Sequence, residues 1–107
     1  MENLIKTINW DIDNEALRFK VGKCLEKIKG ELKSYAEHKA KFAKAVKDGD
    51  MEMAQVLNDV LITQGCTING YISCLEEFIP YEFQFYTLDG TVYLQCGLRR
   101  IWSYNFK

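Results

Sequence analysis

The chain has 107 residues, with 14 basic and 15 acidic side chains, one histidine, a formal net charge of −1 and 48% apolar residues. That length suits one domain, residues 1–107, able to bury about two-thirds of its unfolded surface, and so many apolar residues exclude a disordered chain. An acidic overall balance opposes a dedicated nucleic-acid binder, and no run reaches the roughly eighteen apolar residues of a membrane span.

The N-terminus, Met1 to Lys6, lacks a basic region leading into an apolar run, so no signal peptide is read there. The expectation is a soluble, cytoplasmic protein, in the host-cell cytoplasm if phage encoded. Cys24, Cys66, Cys74 and Cys96 stand far apart without a CxxC pair. They read as reduced, buried thiols rather than a disulfide scaffold or a zinc site, and neither a metal nor another cofactor is expected.

Net charge conceals a partition. Ten basic residues between Arg18 and Lys47 face three acids there (Glu26, Glu31, Glu37), a local balance of plus seven. From Asp48 to Leu98 there are eight acids and no Lys or Arg, a balance of minus eight. Such a chain presents surfaces of opposite sign to its partners.

Taken in order, residues 1–10 fit either a short strand or one helical turn. Asp11-Ile12-Asp13-Asn14-Glu15 reads as a helix start, with Asp11 or Asp13 as cap. A first helix over 11–47 follows from the apolar recurrence Leu17, Val21, Cys24, Leu25, Ile28, Leu32, Tyr35, Phe42 and Val46. Lys20, Lys23, Lys27 and Lys41 share the opposite side, pointing away from the seam, with Phe19 also exposed there. Gly22 and Gly30 fall outside the apolar arc, so they weaken this helix without serving its seam.

Asp48-Gly49-Asp50 is a break in which Gly49 caps one helix and Asp50 starts the next. The second helix, 50–79, carries Ala54, Leu57, Leu61, Ile68, Ile72, Leu75 and Ile79. Met53, Val56, Val60, Cys66, Tyr71, Cys74 and Phe78 widen its stripe, which predicts burial on more than one side. Two Gly and two Thr near 65–70 predict a kink or break, and Pro80 ends the element.

Beyond Pro80, Tyr81, Phe83 and Phe85 alternate with polar residues. Asp89-Gly90 then marks a hairpin into 91–96, and Gly97 precedes a third strand over Arg100–Phe106. The fold class is therefore α+β: two long antiparallel helices, a helical hairpin, followed by a C-terminal three-stranded antiparallel β-meander over 81–106. The helices cover one face of the sheet.

Candidate chemistry is sparse. His38 sits between Tyr35 and Phe42 with no orienting carboxylate beside it, and adjacent Glu76 and Glu77 point about 100° apart on a helix. Asp48 and Asp50 are explained by capping. No phosphate loop, zinc-hydrolase, nucleophile-elbow or deaminase pattern occurs. The expectation is a non-enzyme with no catalytic residues.

Partner binding is the better lead. Lys20, Lys23, Lys27 and Lys41 form a basic face for an acidic partner, and Arg99, Arg100, Trp102, Tyr104 and Phe106 interleave cations with aromatics near the C-terminus. Tyr81, Phe83, Phe85, Tyr86, Tyr93, Trp102, Tyr104 and Phe106 exceed what one small sheet face hides. They supply either interface residues or large core fillers.

The reading is a non-catalytic protein-interaction module, an inhibitor or accessory factor of a larger machine; a phage or mobile-element inhibitor of a host defence nuclease is one version. A homodimer through the C-terminal edge strand is its second expected contact. The alternative is single-stranded nucleic-acid binding through Lys20, Lys23, Lys27, Lys41, Arg99, Arg100 and Trp102.

Overall fold

Asp48-Gly49-Asp50 reverses the chain within three residues. Gly49 adopts a left-handed φ of 77°, its N–H donates to the Val46 carbonyl (3.2 Å), and the Asp50 N–H donates to the Ala45 carbonyl (2.9 Å). This is a Schellman ending, which satisfies carbonyls the helix leaves unpaired. Asp50 Oδ1 then accepts the Met53 N–H at 3.2 Å, capping the next helix.

The computed structural model describes residues 15–79 and 81–106. The elements are α1 (Glu15–Lys47), α2 (Met51–Phe78), β1 (Phe83–Leu88), β2 (Thr91–Cys96) and β3 (Arg99–Asn105). The expectations for residues 1–10 and for a cap at Asp11 or Asp13 lie outside the described residues. The helical hairpin and the antiparallel meander, in sheet order β1-β2-β3, follow the expected α+β arrangement. Ile79 is extended (φ −140°, ψ 147°), as a residue before proline prefers.

One core joins both helices to the sheet: Val21, Leu25, Ile28 and Leu32 of α1, Ile68, Ile72 and Leu75 of α2, and Phe83, Val92, Leu94 and Ile101. Tyr35 and Phe85 meet edge to face with centroids 5.5 Å apart, tying α1 to the sheet. Near the turn, Ala45, Ala54 and Leu57 form a smaller cluster with Phe42.

Three expectations are corrected. α2 runs unbroken through 65–70, because Leu61, Gln64, Ile68 and Ile72 are buried on both sides of the weak segment and packing overrides propensity. It is also buried on one side only: Met53, Val56, Val60 and Phe78 are 49, 56, 37 and 43% exposed. Gly22, read as lying outside the seam, is buried, whereas Gly30 is exposed.

Asp89 (φ 50°) and Gly90 (φ 76°) both take left-handed angles, the two-residue turn that matches strand twist. It pairs Leu88 with Thr91, Tyr86 with Tyr93 and Phe85 with Leu94. Between β2 and β3 the register slips: Leu94 opposes Trp102 and Gln95 opposes Arg100, leaving Ile101 as a bulge. Ile101 and Trp102 consequently both reach the core, while Arg100 turns to the other face.

A Cβ at Gly30 would meet no atom within 4 Å, so Gly30→Ala is expected to stabilise the fold by about 0.5–1 kcal/mol through helix propensity. Leu32 is fully buried, and Leu32→Ala should cost about 2–5 kcal/mol. Urea unfolding followed by circular dichroism measures both, and a Gly30→Ala protein less stable than the parent contradicts this account of α1.

Candidate functional site

The helices cover the sheet face carrying Phe83, Phe85, Val92 and Leu94, and alternation puts Gln84, Tyr86, Leu88, Thr91, Tyr93 and Gln95 on the other face. There the Arg100 Nε–H donates to the Tyr86 hydroxyl at 2.6 Å. Its guanidinium lies 4.2 Å from the Tyr93 ring centroid and 5.7 Å from that of Tyr86. The two rings are themselves 5.2 Å apart, tilted by 30°. The Tyr86 hydrogen bond, against a small desolvation effect, raises the Arg100 pKa further. The cation–π contact with Tyr93 and one spent N–H hold the fork in place, and its terminal nitrogens suit a planar anion.

Tyr86 and Tyr93 were among the surplus aromatics of the sequence, yet not among its candidate site residues. The signal was available: counting back from the Asp89-Gly90 turn makes them direct cross-strand neighbours, on the face opposite Phe85.

The remaining candidates separate. Trp102, Tyr104 and Phe106 pack against the core, with Trp102 and Tyr104 stacked 6.3 Å apart and the Lys33 Nζ 5.8 Å from the Tyr104 ring. Their exposed area is thus a rim beside α1. Arg99, at the start of β3, is exposed. Lys20, Lys23, Lys27 and Lys41 are exposed on α1. At about 100° per residue, Lys23, Lys27 and Lys41 lie within about 30° of the side opposite Leu25 and Leu32, which are buried in the core shared with the sheet. Phe19 is exposed on α1, with the Lys23 Nζ 4.9 Å from its ring. The Lys row therefore caps the helical layer and Arg100 the sheet layer, on opposite sides of a molecule 53 × 21 × 19 Å in extent.

Across the helix seam, buried Gln64 joins His38 and Glu31. Its Nε2 donates to Glu31 Oε2 at 3.2 Å, and its Oε1 lies 3.0 Å from His38 Nδ1. The carboxylate fixes the amide orientation, so Nδ1 carries the proton that His38 donates. His38 also borders a cavity of about 490 Å³ lined by Lys41, Lys44, Asp48, Asp50, Met53 and Leu57. Among the described residues lining it there is no Ser, Thr or Cys. Among the described residues no three His, Cys, Asp or Glu side chains gather to hold a metal, and no helix is long and apolar enough to cross a membrane.

The four cysteines are unpaired, as expected, yet only Cys24 and Cys96 are half-buried; Cys66 and Cys74 are exposed, because these α2 positions turn away from the seam. Burial, and secondarily the facing Cys74, raises the Cys24 thiol pKa against the pull of Lys27, and burial raises that of Cys96 against Arg99. A raised pKa leaves less thiolate near pH 8. Iodoacetamide with mass-spectrometric mapping should therefore modify Cys66 and Cys74 first, with Cys24 and Cys96 catching up as pH rises. Equal rates at pH ~8 contradict that packing. Comparison of the chain with protein-family models, curated proteins and solved structures finds no match.

Proposed function

We propose that the chain is a non-catalytic protein-interaction module, an inhibitor or accessory factor that grips a larger partner through the open face of its sheet. The observation that supports this reading is Arg100, held by the Tyr86 hydroxyl and the Tyr93 ring on a sheet face that neither described helix covers. Tyr and Arg are the residues on which binding energy concentrates, and prior ordering reduces the entropy lost on docking. Gln84, Thr91, Gln95, Ser103 and Asn105 surround the cluster with neutral hydrogen-bonding groups. A fitting partner presents a carboxylate to the Arg100 fork beside an apolar or aromatic side chain that lies on Tyr93.

The alternative, single-stranded nucleic-acid binding, also draws on a stacking platform with a cation. It loses force because the lysines that would neutralise phosphates lie on the far layer, leaving Arg99 and Arg100 for the sheet face. Two such contacts imply a salt slope of only about −1.4 on a single strand.

Immobilised chain exposed to an extract of its native cell or host, with retained proteins quantified, tests the reading. Tyr93→Ala and Arg100→Ala should each reduce retention of the same proteins by about 30-fold, the equivalent of about 2 kcal/mol at a hot spot. Lys23→Glu with Lys41→Glu should leave it unchanged. Loss of the same partners in the lysine variant alone rejects the sheet face. Retention of labelled single-stranded RNA at about 50 mM salt, lost as salt rises, favours the alternative.

A further inference from the structure

Two of the four cysteines stand where the helices meet, on the layer away from Arg100. Cys24 of α1 faces α2, and its thiol donates to the Tyr71 carbonyl across the seam at 3.5 Å. Cys74 follows Tyr71 by one turn of α2. A short helical side chain reaches back to the carbonyls three and four residues before it, which for Cys74 are those of Tyr71 and Gly70. Both sulfurs thus address the Tyr71 carbonyl, one from each helix.

The antiparallel arrangement sharpens that approach. Cys24 with Tyr71 and Glu31 with Gln64 set the relative heights of the helices, so Cys74 stands one turn along α2 from the level of Cys24. Helical side chains lean toward their own N-terminus. Cys24 therefore leans up α2 and Cys74 leans down it, which brings the sulfurs toward each other. At about 100° per residue, Cys74 lies about 60° from Tyr71, on the flank away from Glu76, whose carboxylate reaches the Phe83 N–H of β1. It turns outward from the buried stripe yet stays beside α1. After burial, Cys74 is the strongest influence raising the Cys24 pKa, as neighbouring thiolates repel; for Cys96 the charged neighbour is Arg99. Both thiols are free, Cys74 exposed and Cys24 half-buried.

We propose that Cys24 and Cys74 form an oxidative modification site, at which a hydroperoxide links the two helices by a reversible disulfide. Cys74, the exposed partner, reacts first. Its thiolate sulfur bonds the distal peroxide oxygen, the O–O bond breaks, and the departing alkoxide takes up the proton the thiol had released. Cys24 then attacks the Cys74 sulfenic acid: the S–S bond forms, the S–O bond breaks, and water leaves with the Cys24 thiol proton. In sum, two thiols and one hydroperoxide give one disulfide, one alcohol and one water, with two electrons passing from sulfur to oxygen. A small thiol reverses the link by exchange. Lys27, one turn from Cys24 on α1, favours the attacking thiolate. The bridge ties the end of the hairpin remote from Gly49, so the helix pair is closed at both ends and the unfolded chain loses freedom.

Hydrogen peroxide added to the reduced full chain tests the proposal. Remaining thiols are blocked, the protein is digested with trypsin and chymotrypsin, and linked peptides are identified by mass spectrometry without reductant. The main product should carry a Cys24–Cys74 link within one chain, and its urea midpoint should rise by about 1–3 M. Dithiothreitol should return both to the starting state. Cys74→Ser should abolish the link, and Cys24→Ser should leave a Cys74 sulfenic acid that dimedone traps. Oxidation in concentrated urea, which separates the helices, should scatter the pairing among the four cysteines. A folded chain that peroxide leaves without the Cys24–Cys74 link, or links mainly through Cys66 or Cys96, overturns the proposal. So does a Cys24–Cys74 link no more abundant in the folded chain than in urea.

Discussion

A three-stranded sheet of six- and seven-residue strands cannot stand alone in water, and two helices of this length hold together only if their shared stripe is covered. The layer in which Leu25, Leu32, Ile68 and Leu75 meet Val92 and Leu94 meets both needs at once. Every other feature hangs from it. Because this layer joins both described helices to the sheet, each has one side committed to the core, and two broad faces of the described residues are left exposed.

Those faces differ in kind. The outer sheet face is polar and aromatic, with Leu88 exposed near the turn and Arg100 immobilised by Tyr86 and Tyr93, a composition suited to recognising another protein. The outer helical face carries the exposed lysines of α1 beside an exposed, largely uncharged row on α2 that includes Met53, Val56 and Val60. The bipolar charge count becomes physically meaningful only once the hairpin sets the basic first helix alongside the acidic second one. Between the helices, the His38–Gln64–Glu31 chain adds direction rather than much energy, since each net hydrogen bond contributes about 1 kcal/mol. A buried amide that needs both partners disfavours sliding one helix past the other.

Much of the architecture was legible in residue order because it rests on local rules. Asp48-Gly49-Asp50 ends one helix and caps the next through its own backbone; Asp89-Gly90 sets the hairpin register. The apolar periods assign helix and strand. Expectations failed where residue type was read as a proxy for burial. Met53, Val56, Val60 and Phe78 are apolar yet exposed, Cys66 and Cys74 are exposed thiols, and Gly22 is buried. Hydrophobicity reports that a residue can be covered; only the arrangement of neighbours reports whether anything within the chain covers it.

The sequence by itself determined the element order, the reversals at Gly49, Gly90 and Gly97 and the exposed lysine row, since periodicity, capping and turn chemistry act over a few residues. Tertiary structure alone decided the grouping of side chains into surfaces. Strict alternation along β3 would place Arg100 with Trp102 and Tyr104 on one face. The bulge at Ile101 shifts the register by one residue, so Trp102 and Tyr104 pack beneath the helices while Arg100 joins Tyr86 and Tyr93 outside. That shift depends on how β3 pairs with β2 over the shared core, a constraint that no short window of residues contains.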